Sequence, residues 1–172
     1  MSGMSGLYTL ETLVAQIQAD PQRWRPLVFT NGCFDLIHAG HVRYLQAARR
    51  RGRALVVGLN SDRSVQAIKP ARPGFPQRPI IPEIQRAEVL AALRAVDGVV
   101  LFEETTATRL IEALRPEIYI KGGDYEISQL PEAPAVQAYG GHIELIQVEV
   151  PSSTSAIVQQ ILAGAIAHPP VL

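Results

Sequence analysis

Hydrophobic positions along the chain change their spacing several times, and each change marks a switch between strand and helix. Five short runs are continuously apolar and rich in β-branched residues, a pattern typical of strands covered by helices on both faces. These predicted strands cover residues 27–30, 54–59, 99–102, 118–120 and 143–148. Each run is too short for a helix of ordinary length.

Between these runs, apolar residues recur every three or four positions, as they do along one face of an amphipathic helix. The predicted helices cover residues 9–20, 41–51, 82–93, 106–114, about 133–139 and about 155–163. Pro21 is expected to end the first of them, because proline cannot continue a helix. The alternation predicts an α/β fold with a doubly wound, five-stranded parallel sheet and right-handed crossovers.

Polar segments follow three of the predicted strands. They cover residues 31–35, 60–62 and 121–124. In an open parallel sheet, ligands bind beyond the carboxyl ends of the strands, so we expect these segments to meet at one crevice. The segment 69–82 contains five prolines and two arginines. It is predicted to be a mobile flap over that crevice.

Composition narrows the class of protein further. The 172 residues fit one domain, predicted over 9–172 after a flexible leader at 1–8. Sixteen basic and sixteen acidic residues give a net charge of zero, which argues against bulk nucleic-acid or polybasic membrane binding. No apolar run reaches the roughly 18 residues of a membrane span, and no signal peptide is recognisable. With one cysteine the chain forms no internal disulfide, and we expect a cytoplasmic protein.

Two histidines give the strongest indication of chemistry. His38 and His41 flank Gly40 at the start of the second predicted helix, directly after a strand and a loop of small residues. A helix N-terminus offers free N–H groups and a positive dipole end, so this arrangement predicts a phosphate site. A metal pair is the alternative, but two histidines are too few for a closed zinc site and we predict no metal. Cys33 as a nucleophile is a second alternative.

The residues around this pair resemble a known family signature. The segments in question are FTNGCFDLIHAGH at 29–41, VGLNSD at 57–62, RPIIP at 78–82, RAEVLAAL at 86–93, KGGDY at 121–125 and STS at 153–155. They resemble the HxGH nucleotidylyltransferase superfamily in its cytidylyltransferase-like branch, and within it the bacterial heptose-1-phosphate adenylyltransferases. No GxGxxG dinucleotide motif and no P-loop motif is present.

The resemblance implies a Rossmann-like fold and an enzyme in which a sugar-phosphate oxygen attacks the α-phosphorus of ATP, or of CTP. Pyrophosphate would leave with Mg²⁺, which the substrate phosphates would hold. The implied partners are these small molecules and a second copy of the chain in a homodimer, with no nucleic acid and no membrane. Segments 69–82 and 126–134 differ from those of the heptose enzymes, and both are expected to touch the sugar.

The resemblance also implies roles for individual residues. The expected catalytic residues are His38, His41 and Lys69. The expected nucleotide-binding residues are Asn31, Gly32, Cys33, Phe34, Gly40, Lys121, Gly122, Gly123, Asp124, Ser153 and Thr154. The expected acceptor-binding residues are Asp35, Asn60, Asp62, Arg78 and Arg86.

Structural roles remain open for several of these residues. Asp35 could cap its own loop, Arg86 could pair with Glu83, and Ser153 could serve only as a helix N-cap. Two other functions also remain open. One is a cytidylyltransferase for glycerol 3-phosphate or another phospho-alcohol, and the other is a nucleotide-binding module without activity.

Overall fold

A computed structural model describes residues 6–123, 126–147 and 153–164 of the chain. Within these residues the strands are β1 (Leu7–Tyr8), β2 (Leu27–Gly32), β3 (Ala54–Asn60), β4 (Gly98–Phe102), β5 (Ile118–Gly122) and β6 (His142–Ile146). The helices are α1 (Leu10–Ala19), α2 (Pro21–Trp24), α3 (Ala39–Arg49), α4 (Asp62–Ile68), α5 (Glu83–Ala91), α6 (Thr108–Leu114), α7 (Ala133–Ala138) and α8 (Thr154–Leu162). A short 3₁₀ turn covers Ile127–Gln129.

The strands form one parallel sheet in the order β1-β4-β3-β2-β5-β6. β2 lies between β3 and β5, so the direction of winding reverses at β2. A crevice for a ligand is expected at the carboxyl end of the strand where the winding reverses. The predicted doubly wound α/β fold is therefore confirmed, with six strands in place of five.

The core consists of two apolar layers, one on each face of the sheet. Successive residues of a strand point to opposite faces, so Phe29 packs in one layer and Val28 in the other, both fully buried. Side chains from α1, α6 and α7 complete the first layer. Side chains from α3 and α5 complete the second layer. Every residue of β3 is buried, which explains its continuous apolar run.

The prediction of a flexible leader over residues 1–8 is wrong at its carboxyl end. Leu7 and Tyr8 pair with Val99 and Val100 as an edge strand. The ring of Tyr8 also packs edge-on against buried Trp24, with ring centroids 6.0 Å apart. Two residues are too few to show a strand periodicity, so the pattern of hydrophobic positions gave no sign of β1.

Two short helices were also missed. Pro21 does end α1, but it then begins α2, because proline suits the first turn of a helix. Ser61 is the N-cap of α4, and its hydroxyl accepts a hydrogen bond from the Ser64 N–H at 3.1 Å. Residue 62, predicted to lie in a loop, is therefore the first residue of α4. The predicted end of the last strand, residue 148, lies outside the described residues.

Candidate active site

A cavity of about 910 Å³ opens at the carboxyl ends of β2, β3 and β5. Its volume is typical of a site for a small organic ligand. The three polar segments expected to converge do so, because residues 31–35, Asn60 and residues 121–123 all line it. Sixteen of the predicted site residues lie in its wall: Asn31, Gly32, Cys33, Phe34, Asp35, His38, Gly40, His41, Asn60, Lys69, Arg78, Lys121, Gly122, Gly123, Ser153 and Thr154.

The two histidines lie together at the N-terminus of α3. His38 is the N-cap residue rather than part of the first turn, and its Nδ1 accepts a hydrogen bond from the Gly40 N–H at 3.1 Å. Neutral His38 therefore carries its proton on Nε2. The ring centroids of His38 and His41 are 4.0 Å apart. Nδ1 of His41 is buried, which leaves Nε2 as the ring nitrogen available to a ligand.

Burial favours the neutral form of both imidazoles. Burial lowers the pKa of His38. Burial, followed by the charges of His38 and Lys69, lowers the pKa of His41 to about 4, and the backbone at Leu36 offsets only part of this. The pair can therefore offer N–H donors to phosphate oxygens without carrying full positive charges.

The loop between β2 and α3 turns sharply beside these rings. Phe34 has a φ of +42°, in the left-handed region that a bulky residue rarely adopts. Its ring centroid lies 5.4 Å from that of His41. A Cβ added to Gly32 would come within 3.1 Å of the Phe34 ring, so the turn favours glycine there. Burial raises the pKa of the Cys33 thiol, which argues against a thiolate nucleophile.

Three cationic side chains line the cavity near the histidines. Lys69 ends α4 and is exposed, and no carboxylate among the described residues pairs with it. Nζ of Lys121 donates to the Asn31 carbonyl at 3.3 Å. Burial lowers the pKa of Lys121, and the charge of Glu132 opposes that shift. Arg78 is the third cation, and it is paired with Asp35.

Asp35 anchors the flap to the loop after β2. Its carboxylate accepts hydrogen bonds from the N–H groups of Ile80, at 2.9 Å, and Ile81, at 3.0 Å, and from Nε of Arg78. The side chain is fully shielded from solvent. The acceptor role predicted for Asp35 does not fit these contacts, because its oxygens already hold the flap.

Arg86 does not line the cavity, contrary to its predicted role as an acceptor-binding residue. Its guanidinium is fully buried, with Nε donating to the Ile81 carbonyl at 2.8 Å. Nη1 donates to the carbonyls of Cys33, at 2.6 Å, and Asn60, at 2.9 Å. Nη2 pairs with Asp62 at 2.7 Å, so Asp62 is also used within the wall and lies outside the cavity lining. Both residues therefore stabilise the wall of the cavity and do not face a bound substrate.

The N-terminus of α8 supplies another part of the wall. The Ser153 hydroxyl accepts from the Ala156 N–H at 3.1 Å and so caps the helix. Thr154 lies beside the loop that precedes α3, its hydroxyl 3.5 Å from the Leu36 carbonyl. Both side chains line the cavity, so capping does not exclude ligand contact. Asp124, predicted to bind the nucleotide, lies outside the described residues.

Several lining residues were not predicted, among them Tyr44, Thr105, Gln129 and Glu132. The Tyr44 hydroxyl shares a hydrogen bond with Thr30 at 2.7 Å and donates to the Ile120 carbonyl at 3.1 Å. Its position on the apolar face of α3 resembles that of an ordinary core residue, so the sequence pattern hides its place at the site. Glu132 lies in a segment where no motif points to it.

Two further findings on the described residues concern membrane-spanning helices and clusters of metal-ligating side chains. Among residues 6–123, 126–147 and 153–164, no helix is long and apolar enough to cross a membrane. The same residues contain no group of three or more His, Cys, Asp or Glu side chains placed to hold a metal ion.

A parallel sheet whose crevice holds a helix N-terminus, two neutral histidines and several cations defines a protein that binds a polyphosphate. A comparison with protein families agrees: the model of the cytidylyltransferase-like family matches residues 29–166. The chain belongs to the cytidylyltransferase-like family, and it is a nucleotidyltransferase, as the motifs predicted.

The chain is also similar to individual proteins of known name. The chain is 49% identical over 157 residues to the bifunctional protein HldE of Geotalea uraniireducens, an alignment covering 91% of this chain and 31% of that protein. It is 54% identical over 137 residues to HldE of Magnetococcus marinus, covering 80% of this chain and 27% of that protein. The chain thus spans about a third of the relatives it matches.

A solved structure supports the fold. The lipopolysaccharide core biosynthesis protein from Thermoplasma volcanium superposes with a TM-score of 0.57 at 23% identity. The superposition covers 70% of this chain and 93% of that one.

Proposed function

We propose that the chain transfers the AMP moiety of ATP to heptose 1-phosphate and releases pyrophosphate. An oxygen of the sugar phosphate attacks the α-phosphorus of ATP, a new P–O bond forms, and the bond to the β-phosphate oxygen breaks. The observation that supports this proposal most is the pair of neutral histidines on the N-terminus of α3, inside a cavity with three cations. Among the residues that the structure describes, this site has donors for phosphate oxygens and no activated nucleophile.

The residues present suit catalysis by positioning and charge stabilisation. Nε2–H of His38 and the α3 N-terminus would hold oxygens around the α-phosphorus, where negative charge shifts as the bonds exchange. Lys69 and Lys121 would neutralise the remaining phosphates. Mg²⁺ would enter as part of the Mg-ATP substrate. The carboxylate of Asp35 is fully engaged by the flap, so the phosphates and water would supply most of the ligands of the ion.

The sugar and the base rest on the resemblance of the motifs and on the HldE relatives. The test is pyrophosphate release with Mg²⁺, crossing ATP and CTP against heptose 1-phosphate and glycerol 3-phosphate. We expect turnover with ATP and heptose 1-phosphate. Turnover only with CTP and glycerol 3-phosphate would support the cytidylyltransferase alternative. Nucleotide binding without turnover in any pairing would support a binding module.

A matched pair of variants tests the mechanism. His41→Ala removes a lining imidazole, and we expect kcat to fall about 100-fold to 1,000-fold, the usual loss for one donor to a developing charge. The Kd for ATP should change only a few-fold, because the contact strengthens in the transition state. The control is His142→Ala, an exposed histidine at the start of β6. Equal losses in kcat for the two variants would contradict the role of His41.

A further inference from the structure

The cavity contains a buried carboxylate that the proposed reaction leaves unused. Glu132 is 3% exposed and lines the cavity. Its Oε1 accepts a hydrogen bond from the Ala107 N–H at 3.0 Å, at the start of α6. Its Oε2 is shielded from solvent and has no hydrogen-bond partner within the described part of the chain. An unpaired buried acceptor is unfavourable, so this oxygen indicates a missing donor.

The chemistry of Glu132 limits what that donor can be. A carboxylate repels phosphate, whereas the hydroxyl groups of a sugar are neutral donors that it binds well. The cations that suit phosphates are Lys69, Arg78 and Lys121, and Glu132 lies close enough to Lys121 for the two charges to interact. Glu132 therefore suits the neutral, hydroxyl-bearing part of a substrate rather than its phosphate.

Hydrogen bonds connect Glu132 to the half of the cavity beyond β3 and β4. The loop after β4 supplies Ala107, which Glu132 holds, and Thr105, which also lines the cavity. Nδ2 of Asn60, at the end of β3, donates to Ser64, whose hydroxyl donates to the Glu104 carbonyl of that same loop. Asn60, the loop after β4 and Glu132 are thus connected by hydrogen bonds.

On the basis of the proposed function, we propose that Glu132 determines acceptor specificity by accepting a hydrogen bond from a hydroxyl group of the sugar phosphate. Because Oε2 is shielded, a small shift of the adjoining wall must accompany binding. Residues 126–129 and Pro131 are exposed, and the 3₁₀ turn Ile127–Gln129 is their only regular structure. None of these residues belongs to an α-helix or a strand.

The first experiment compares Glu132→Gln with Glu104→Gln. The amide keeps an oxygen for the Ala107 N–H but replaces the unpaired acceptor by a donor. Glu104 is an exposed glutamate near the same loop and does not line the cavity, so it provides the matched control. Calorimetry on the full chain measures the Kd for heptose 1-phosphate, glycerol 3-phosphate and ATP.

For Glu132→Gln we expect a Kd for heptose 1-phosphate about tenfold higher, the usual loss of one hydrogen bond to a charged group. The Kd values for glycerol 3-phosphate and ATP should not rise, because losing a negative charge near Lys121 weakens no contact with a phosphate. No value should change for Glu104→Gln. A rise in the Kd for ATP would place Glu132 at the nucleotide and refute the proposal. No change in any Kd would also refute it. Because the comparison needs no turnover, lack of activity in the wild-type chain would refute only the proposed function.

A second experiment does not depend on the folding of the variant. The wild-type chain is titrated with heptose 1-phosphates that each lack one hydroxyl group. We expect one of them to bind about tenfold more weakly than the parent sugar, and Glu132→Gln to lose nothing further with that analogue. Equal affinity of the wild-type chain for the whole series would overturn the proposal.

Discussion

Replacing Arg86 by lysine should weaken the fold rather than the binding of a phosphate. The guanidinium is fully buried and makes four hydrogen bonds. They go to the carbonyls of Ile81, Cys33 and Asn60, and to the carboxylate of Asp62. These partners belong to the flap, the loop after β2, the end of β3 and the start of α4. One side chain thus joins four segments around the cavity, although it does not line the cavity itself.

The magnitude follows from the geometry of the two side chains. A lysine ammonium donates from one atom, whereas arginine donates here from Nε, Nη1 and Nη2 in a fixed plane. We expect at least two of the four acceptors to lose their donor. Each hydrogen bond to a charged group contributes about 1.5–3 kcal/mol, so the free energy of unfolding should fall by about 4 kcal/mol. At a urea m-value of about 2 kcal/mol per M, the midpoint falls by about 2 M.

Urea unfolding followed by far-ultraviolet circular dichroism measures this shift. The control is Arg94→Lys, an exposed arginine after α5, which should change stability by less than about 0.5 kcal/mol. The reasoning would be refuted if Arg86→Lys kept the wild-type midpoint while the KM for the nucleotide rose strongly. That result would restore a ligand-binding role for Arg86, the kind of role that the motif resemblance predicted.

Three other predictions concern His41, the cavity-lining residue Gly122 and the flap. The pKa of His41 is about 4 in the folded chain, against an ordinary value of 6.5. Between pH 6.5 and pH 4 the unfolded chain therefore binds a proton that the folded chain does not, and the free energy of unfolding decreases as the pH is lowered. After allowance for partial exposure, the urea midpoints should show a loss of about 1 kcal/mol from pH 7 to pH 5 that His41→Gln abolishes. Gly122→Ala should cost about 1–3 kcal/mol of stability, because the new Cβ would lie 2.9 Å from the Tyr44 ring. Gly58→Ala meets an equally close ring in the core, so both variants should melt earlier but only Gly122→Ala should raise the KM for ATP. Asp35→Asn should loosen the flap, measured as faster hydrogen–deuterium exchange of the Ile80 and Ile81 N–H groups, which Asp35 holds, at an unchanged rate elsewhere.

The sequence predicts the parts of the site that local chemistry determines. A strand, a loop of small residues and a helix N-terminus follow one another along the chain, so the phosphate site around His38 could be placed without tertiary information. The sheet was also predictable, because its buried strands are continuous apolar runs. The same patterns could not show β1, whose two residues gain their order by pairing with the distant Val99 and Val100.

Charged residues near a motif are harder to assign, since the same side chain can bind a ligand or brace a wall. Arg86 and Asp62 follow motif positions closely, yet they pair with each other at 2.7 Å and lie outside the cavity lining. Glu132 shows the opposite case, because no motif points to it although it lines the cavity. Whether such a residue binds a ligand or stabilises the wall depends on contacts between segments far apart in the chain, and these contacts are seen only in the structure.

Asp35 and Glu132 perform similar structural tasks on two walls of one cavity, and their difference strengthens the assignment of Glu132. Each carboxylate accepts backbone N–H groups: Asp35 from Ile80 and Ile81 in the flap, Glu132 from Ala107 at the start of α6. Both oxygens of Asp35 are occupied, since Arg78 also pairs with it. Glu132 needs only one oxygen for its structural task, and the other has no hydrogen-bond partner among the residues that the structure describes. Anchoring a wall of the cavity therefore explains both carboxylate oxygens of Asp35 but only one of those of Glu132. A hydroxyl donor on the substrate would explain the second oxygen of Glu132.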